Sequence, residues 1–178
     1  MEKLAEQAKI ELLYTDEARV SVNPCIPYGW QFRDEDVFMP AAQGGGINCF
    51  ALLSRNNECH FRTLRESITA EFIFEEFEQL SMRLTNLTVV VLDNAPVHTA
   101  KLIKGRREVW EQRGLYLFYL PRYSPHLNIV EILWRKLKYE WLSAKDYETD
   151  EGLYYRVWQV LGAIGNSLRI NFSSFNLV

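Results

Sequence analysis

Residues Val89, Val90, Val91 and Leu92 form an unbroken apolar run that stops at Asp93-Asn94-Ala95-Pro96. Without polar alternation, such a run suits a strand covered on both faces, as in a parallel sheet. A helical stretch follows from about Thr99 to Arg113, interrupted only by Gly105, and a second apolar run, Leu115 to Leu120, is closed by Pro121. Strand, helix and strand in so few residues require a parallel crossover, right-handed by rule. A parallel pair needs helices on its faces, and this narrows the chain to the α/β class. Asp93 and Asn94 then stand at the C-terminal end of a buried strand, where open α/β sheets place their chemistry.

The flanking segments fit the same plan. After the loop Tyr123–Asn128, an amphipathic helix carries Ile129, Val130, Leu133, Trp134, Leu137 and Trp141 on one broad face. Glu131, Arg135 and Lys138 share the opposite face at i, i+4 and i+7. Trp134 and Trp141 are therefore read as core, not as base-stacking platforms. Upstream, residues 2–10 read as a short helix and Glu11–Val20 as a strand. A turn-rich segment from Asn23 to Gly29 leads to a half-exposed strand at Trp30–Phe32, then to a solvated acidic cluster, Asp34–Asp36. Gly44–Gly46 bends the chain into a strand from Ile47 to Leu53, and Ser54–Asn57 turns it back through Cys59, His60 and Phe61. Ser67 to Leu84 is helical with Thr69 as N-cap. A last helix, capped by Thr149, runs from Asp150 to about Leu168 with Tyr154, Val157, Trp158, Leu161 and Ile164 on its apolar side. The expected fold is α/β with a mixed sheet.

Composition removes several function classes. The chain has 178 residues, enough for one domain with a real core. No apolar stretch approaches the roughly 20 residues of a membrane span, and the polar start MEKLAEQAKI is no signal peptide. Cys25, Cys49 and Cys59 are odd in number and far apart, which favours free thiols in a reducing cytosol. Cys59-His60 lacks a second pair at zinc-ligand spacing. A net charge of −3 excludes coating of nucleic acid by bulk positive charge. Yet residues 86–145 hold ten Lys/Arg against five acids, a surplus of +5 over a remainder of −8. That asymmetry fits either a phosphate-facing side or a pair of solvated helix faces.

Three acids have chemical potential by position. Asp16 and Asp93 lie at strand ends, and Glu131 lies on the helix after the last strand. If the first strand is central and pairs with Leu87–Asp93, both aspartates emerge side by side and the helix brings Glu131 across them. Converging carboxylates need a cation between them, or their pKa values rise. Oxygen donors without a His or Cys cluster favour Mg²⁺ or Mn²⁺. Phosphodiester cleavage needs such a set, because two ions about 3.5–4 Å apart can activate the attacking oxygen and stabilise the leaving one. Each acid also has a duller account: Asp16 can pair with Arg19, Asp93-Asn94 can be a turn, and Glu131 can pair with Arg135 or box with Asn128. His98, lacking any Ser or Cys partner pattern, reads as structural before catalytic.

At these residues the chain resembles the DDE-superfamily transposases of bacterial insertion sequences, in the group related to the eukaryotic mariner elements. YTDEAR around Asp16, VVVLDNAPVH around Asp93 and LPRYSPHLNIVEILWRKLK around Glu131 carry the likeness, with 38 positions from Asp93 to Glu131. It departs at His126 and Ile129, where an acid and a proline are common in relatives. The resemblance implies a single catalytic domain over residues 1–178, with a ribonuclease-H-like mixed sheet flanked by helices. Asp16, Asp93 and Glu131 would be the catalytic triad and the ligands of Mg²⁺ or Mn²⁺, as two ions. The implied reaction is hydrolytic cleavage at transposon ends, then strand transfer of the freed 3′-hydroxyl into target DNA, without ATP. The implied setting is the cytoplasm and nucleoid of a bacterium.

Arg122, Arg135 and Lys138 are expected at DNA phosphates, and Asn94, His98 and Asn128 are expected to orient ligands or substrate. No helix-turn-helix region of the kind that reads terminal repeats is expected in this chain. A separately encoded helix-turn-helix partner or a truncated copy follows from that, and a homodimer is the further partner left open. Two rivals stand beside this reading: a stand-alone ribonuclease-H-like nuclease, and an inactive remnant serving as an interaction module.

Overall fold

Helix α1 (Glu2–Glu6) leads into β1 (Glu11–Ser21), the middle strand of a five-stranded sheet. The computed structural model describes residues 1–23, 33 and 45–172, so the expectations for Trp30–Phe32, Asp34–Asp36 and Cys25 lie outside the described residues. Strands β2 (Gly46–Leu53) and β3 (Cys59–Leu64) pair antiparallel on one side of β1. Helix α2 (Ala70–Arg83) then leads to β4 (Thr88–Leu92), α3 (Lys101–Gln112) and β5 (Leu115–Tyr119). Both β4 and β5 are parallel to β1, giving the order β3-β2-β1-β4-β5. The sheet is mixed and carries helices on both faces, as expected.

Every residue of β4 is buried, which is why its run has no polar alternation. Strand β5 behaves differently because it is an edge. Leu115 and Leu117 are buried, whereas Tyr116 and Phe118, in register with Val89 and Val91, are exposed at the sheet's edge. Between β2 and β3 the turn closes through Ser54, whose hydroxyl accepts from the backbone of Asn56 and Glu58. Asn57 takes the left-handed conformation there (φ 67°), which asparagine tolerates better than most residues.

Two cores follow from the alternation along β1. Leu12 and Tyr14 join Val89 and Val91 beneath α4 (Val130–Lys136) and α5 (Asp150–Gly162). Leu13 joins Phe50, Val90 and Leu92 beneath α2 and α3, where Phe77 meets Trp110 edge-on at 5.8 Å. The expected caps are present: Thr69 accepts from Phe72 N–H, and Thr149 from Gly152 N–H. Helix α1 and helix α5 are both shorter than expected, ending at Glu6 and Gly162. Trp158 is a correction, being 52% exposed. The buried stripe of α5 runs through Leu153, Val157, Val160 and Leu161, leaving Trp158 on its flank. No described helix is long and apolar enough to cross a membrane.

Helices α2 and α3 are fastened by one carboxylate. Glu78 accepts from Arg106 Nε and Nη2 (2.9 and 2.7 Å), Trp110 Nε1 (2.8 Å) and Arg113 Nη1 (2.7 Å). The bond from Arg106 above all, joined by those of Arg113 and Trp110, holds its pKa down at about 2 against the cost of burial. Glu78→Gln is expected to destabilise the domain by about 2–3 kcal/mol, because it strands donors that now share one charge. The folded pKa of about 2 lies below the ~4.3 of a free glutamate. The charged form's contribution is therefore complete above ~4.3 and fades as pH falls toward about 2. Chemical denaturation across that range should show a larger acid-side loss in the parent protein than in the variant.

These contacts also revise the charge argument. Arg106, Arg107, Arg113 and Lys136 of the basic segment are ion-paired within the chain. Glu111 and Glu140 are already netted in the +5, so it is Glu78, outside the segment, that draws on the local surplus through Arg106 and Arg113.

Candidate active site

The last parallel pair between β1 and β4 is Tyr14 with Val91. Two residues further along each strand are Asp16 and Asp93, so both carboxylates emerge at the same end of the sheet. Here β4 stops while β1 continues along β2 to Ser21. Asp16 thus sits where β1 leaves its parallel neighbour and the sheet opens into a cleft.

Helix α4 is bolted over this cleft by Asn128, which is 3% exposed. Its side-chain NH₂ donates to Thr15 C=O at 2.9 Å, and its carbonyl oxygen accepts from Val130 N–H at 3.2 Å. One turn into the helix, Trp134 Nε1 donates to Asp16 Oδ2 at 3.2 Å. Glu131 lies about one turn earlier on the same helix, exposed at the cleft. Asn94 closes the other side, donating to Leu120 C=O at 2.6 Å and tying the ends of β4 and β5 together.

Asp16, Asp93 and Glu131 line one cavity of about 420 Å³, shared with Asn94, Arg122 and Asn128. Burial first, and then the negative charges of Glu131 and Glu17, push the Asp16 carboxyl up to about 7. Asp93 goes the other way. Its Oδ1 meets His98 Nδ1 at 2.7 Å and accepts from Ala95 N–H at 2.8 Å, which lowers its pKa despite partial burial. His98 has no exposed surface and its Nε2 meets Glu17 Oε1 at 2.8 Å. Burial alone would depress the imidazole, but the bonds to Asp93 and Glu17 outweigh it and raise the pKa to about 9.

The duller accounts fare unevenly. Arg19 donates to Gly45 C=O rather than to Asp16, and among the described residues Glu131 and Arg135 form no ion pair. The turn at Asp93 does exist, since its side chain caps Ala95 N–H. A turn role and a site role coexist there.

Among the described residues, no three His, Cys, Asp or Glu side chains are gathered closely enough to ligate one ion. The triad borders a common space without closing on a common point. One Asp93 oxygen is held by His98, while its side chain stays 51% exposed. The donor set is nonetheless suited to a hard divalent cation: oxygen only, mutually repelling, and partly withdrawn from water.

Other expected residues are placed as follows. Arg122 is exposed on the cavity rim, and His98 lies behind Asp93 rather than in the cavity. Arg135 is exposed but outside the cavity lining. Lys138 is half-buried and acts electrostatically on the Cys49 thiol of β2. It falls in a π-helical turn, Leu137–Trp141, that continues α4 and interrupts the i, i+7 stripe read from the sequence. Two participants were missed by sequence reasoning. Trp134 is buried as expected but also bonds Asp16, a role its wheel position among the core residues did not signal. Glu17 bonds His98, and its position beside Asp16 gave no signal either.

A family model described as DDE superfamily endonuclease matches residues 11–153. No curated protein matches the sequence. Among solved structures, the chain is similar to the Mos1 transposase paired-end complex with left transposon end, at TM-score 0.55 and 14% identity over 91% of this chain and 56% of that one. The catalytic core domain of BIV integrase gives TM-score 0.52 and 17% identity, covering 86% of this chain and 82% of that one. For the catalytic domain of Mos1 mariner transposase the values are 0.51 and 12%, covering 90% and 82%. The chain spans a little over half the length of the Mos1 protein in the paired-end complex. The architecture in common is the ribonuclease-H-like mixed sheet.

Proposed function

The chain belongs to the DDE superfamily endonucleases, and from that membership we propose that it is the catalytic domain of a DNA transposase. It cleaves phosphodiesters at transposon ends and transfers the freed 3′-hydroxyl into target DNA. The observation that supports this best is the meeting of Asp16, Asp93 and Glu131 in one cavity, with the Asp16 carboxyl lifted to about 7. A carboxyl raised by burial and by the neighbouring charge of Glu131 is suited to sharing a cation.

Asp16, Asp93 and Glu131 would hold Mg²⁺ or Mn²⁺, as two ions. Mos1 paired-end complexes with Mn and with Mg are among the similar structures, which favours the same ions here. Bound there, the ions would neutralise the carboxylates and stabilise charge on the attacking and leaving oxygens. The chain's own groups do the rest. His98 fixes one oxygen of Asp93 and leaves the other toward the cavity. Trp134 and Asn128 set Asp16 and Glu131 relative to each other, and Arg122 meets a DNA phosphate at the rim. Arg135 and Lys138 are proposed only as outer phosphate contacts. A homodimer and a separately encoded helix-turn-helix partner are the proposed assembly.

The test uses a plasmid carrying the DNA that flanks this reading frame. Incubation with Mg²⁺ or Mn²⁺ should yield nicked ends and joined products, and a chelator should abolish both. Cleavage without joining would favour the stand-alone nuclease, and no metal-dependent cleavage would reject both readings.

A further inference from the structure

We propose that Tyr123 is a stacking platform for an unpaired nucleobase beside the phosphate being cleaved. The inference rests on the reading of DNA as substrate. Tyr123 is 98% exposed, so its ring contributes nothing to either core. Its backbone is left-handed, with φ 59°, a conformation that strains a bulky non-glycine residue. The chain thus holds a large aromatic side chain in water, on a strained residue, where folding gains nothing from it.

Its place supplies the reason. Tyr123 lines the same cavity as Asp16, Asp93 and Glu131. Pro121 and Pro125 stand two residues to either side and restrict the loop. Leu127 N–H donates to Ser124 C=O at 3.1 Å, and Asn128 N–H to Pro125 C=O at 2.8 Å. Asn128 in turn anchors the loop to β1. The ring is therefore presented at the carboxylate-lined cavity from a loop tied to β1.

Arg122 beside it is exposed and, among the described residues, forms no ion pair. A cation next to a free aromatic face at the mouth of a carboxylate-lined cleft matches one ligand chemistry, a nucleotide. Arg122 takes the phosphate and the ring takes the base. Within a duplex both faces of a base are covered by its neighbours, so the ring can engage only a base that has left the stack. Tyr123 thereby favours DNA that is opened at the reacting step.

Fluorescence anisotropy tests this with two labelled oligonucleotides, a blunt duplex and the same duplex with an unpaired 3′ extension, in Ca²⁺ to suppress cutting. The parent protein should prefer the extended duplex. Tyr123→Ala should weaken binding to the extended duplex by about 10- to 100-fold, with affinity for the blunt duplex and thermal stability unchanged. Tyr123→Phe should bind like the parent, since stacking needs the ring and not the hydroxyl. Equal weakening on both DNAs, no effect of the alanine, no preference in the parent, or a phenylalanine variant as weak as the alanine would each overturn the proposal. A parent protein that binds neither DNA would instead remove the substrate reading on which it rests.

Discussion

Asp93→Asn is expected to abolish metal-dependent DNA cleavage while leaving the domain folded. The amide has the same shape as the carboxylate, and its oxygen can still accept from Ala95 N–H and meet His98 as Asp93 Oδ1 does. With the side chain 51% exposed, the exchange should cost under about 1 kcal/mol of stability. What it removes is the negative charge facing the cavity. A loss of at least ~10³-fold in cleavage rate corresponds to about 4 kcal/mol of transition-state stabilisation, a fair expectation for removing one of three charged donors. Rates on nicked-product gels, with denaturation curves alongside, separate the two effects. Undiminished metal-dependent activity in a preparation free of contaminating nuclease would remove Asp93 from the mechanism.

Asn128→Ala should damage both fold and activity, for a single structural reason. The side chain is buried and satisfies Thr15 C=O and Val130 N–H together. Truncation leaves two buried backbone groups without partners, at a cost of about 2–4 kcal/mol. It also releases the start of α4 from β1 beside Asp16, so Glu131 loses its fixed height above the cleft. Displacements on the order of 1 Å at such a site can cost about 10²-fold in rate. The cleavage rate should therefore fall by roughly that factor even at temperatures where the variant remains folded. A variant with normal activity at those temperatures would show that Glu131 is positioned by something else.

Much of the fold could be read from the chain because its strongest signals are local. The run Val89–Leu92 is apolar without alternation because β4 has a layer on each face, and Thr69 and Thr149 cap the helices they precede. The pairing of Asp16 with Asp93 at one sheet end followed from a central first strand, which the strand order bears out. Bonds made across distance by side chains of ambiguous role were hidden. Trp134 has the wheel position of a core residue and is one, but its indole N–H also reaches Asp16. His98 reads as structural and is fully buried, yet it joins Asp93 to Glu17 from a different strand. Lys138 was misaligned by a backbone event, since periodicity assumes an unbroken α-helix and a π turn follows Lys136.

The central claim is that Asp16, Asp93 and Glu131 together hold divalent cations. Anomalous diffraction from crystals soaked in Mn²⁺ tests it most directly. The account predicts Mn²⁺ coordinated by oxygens of all three side chains within the one cavity, and loss of that density in Asp93→Asn. Mn²⁺ bound elsewhere on the protein, or absent from these carboxylates at saturating concentration, would contradict it.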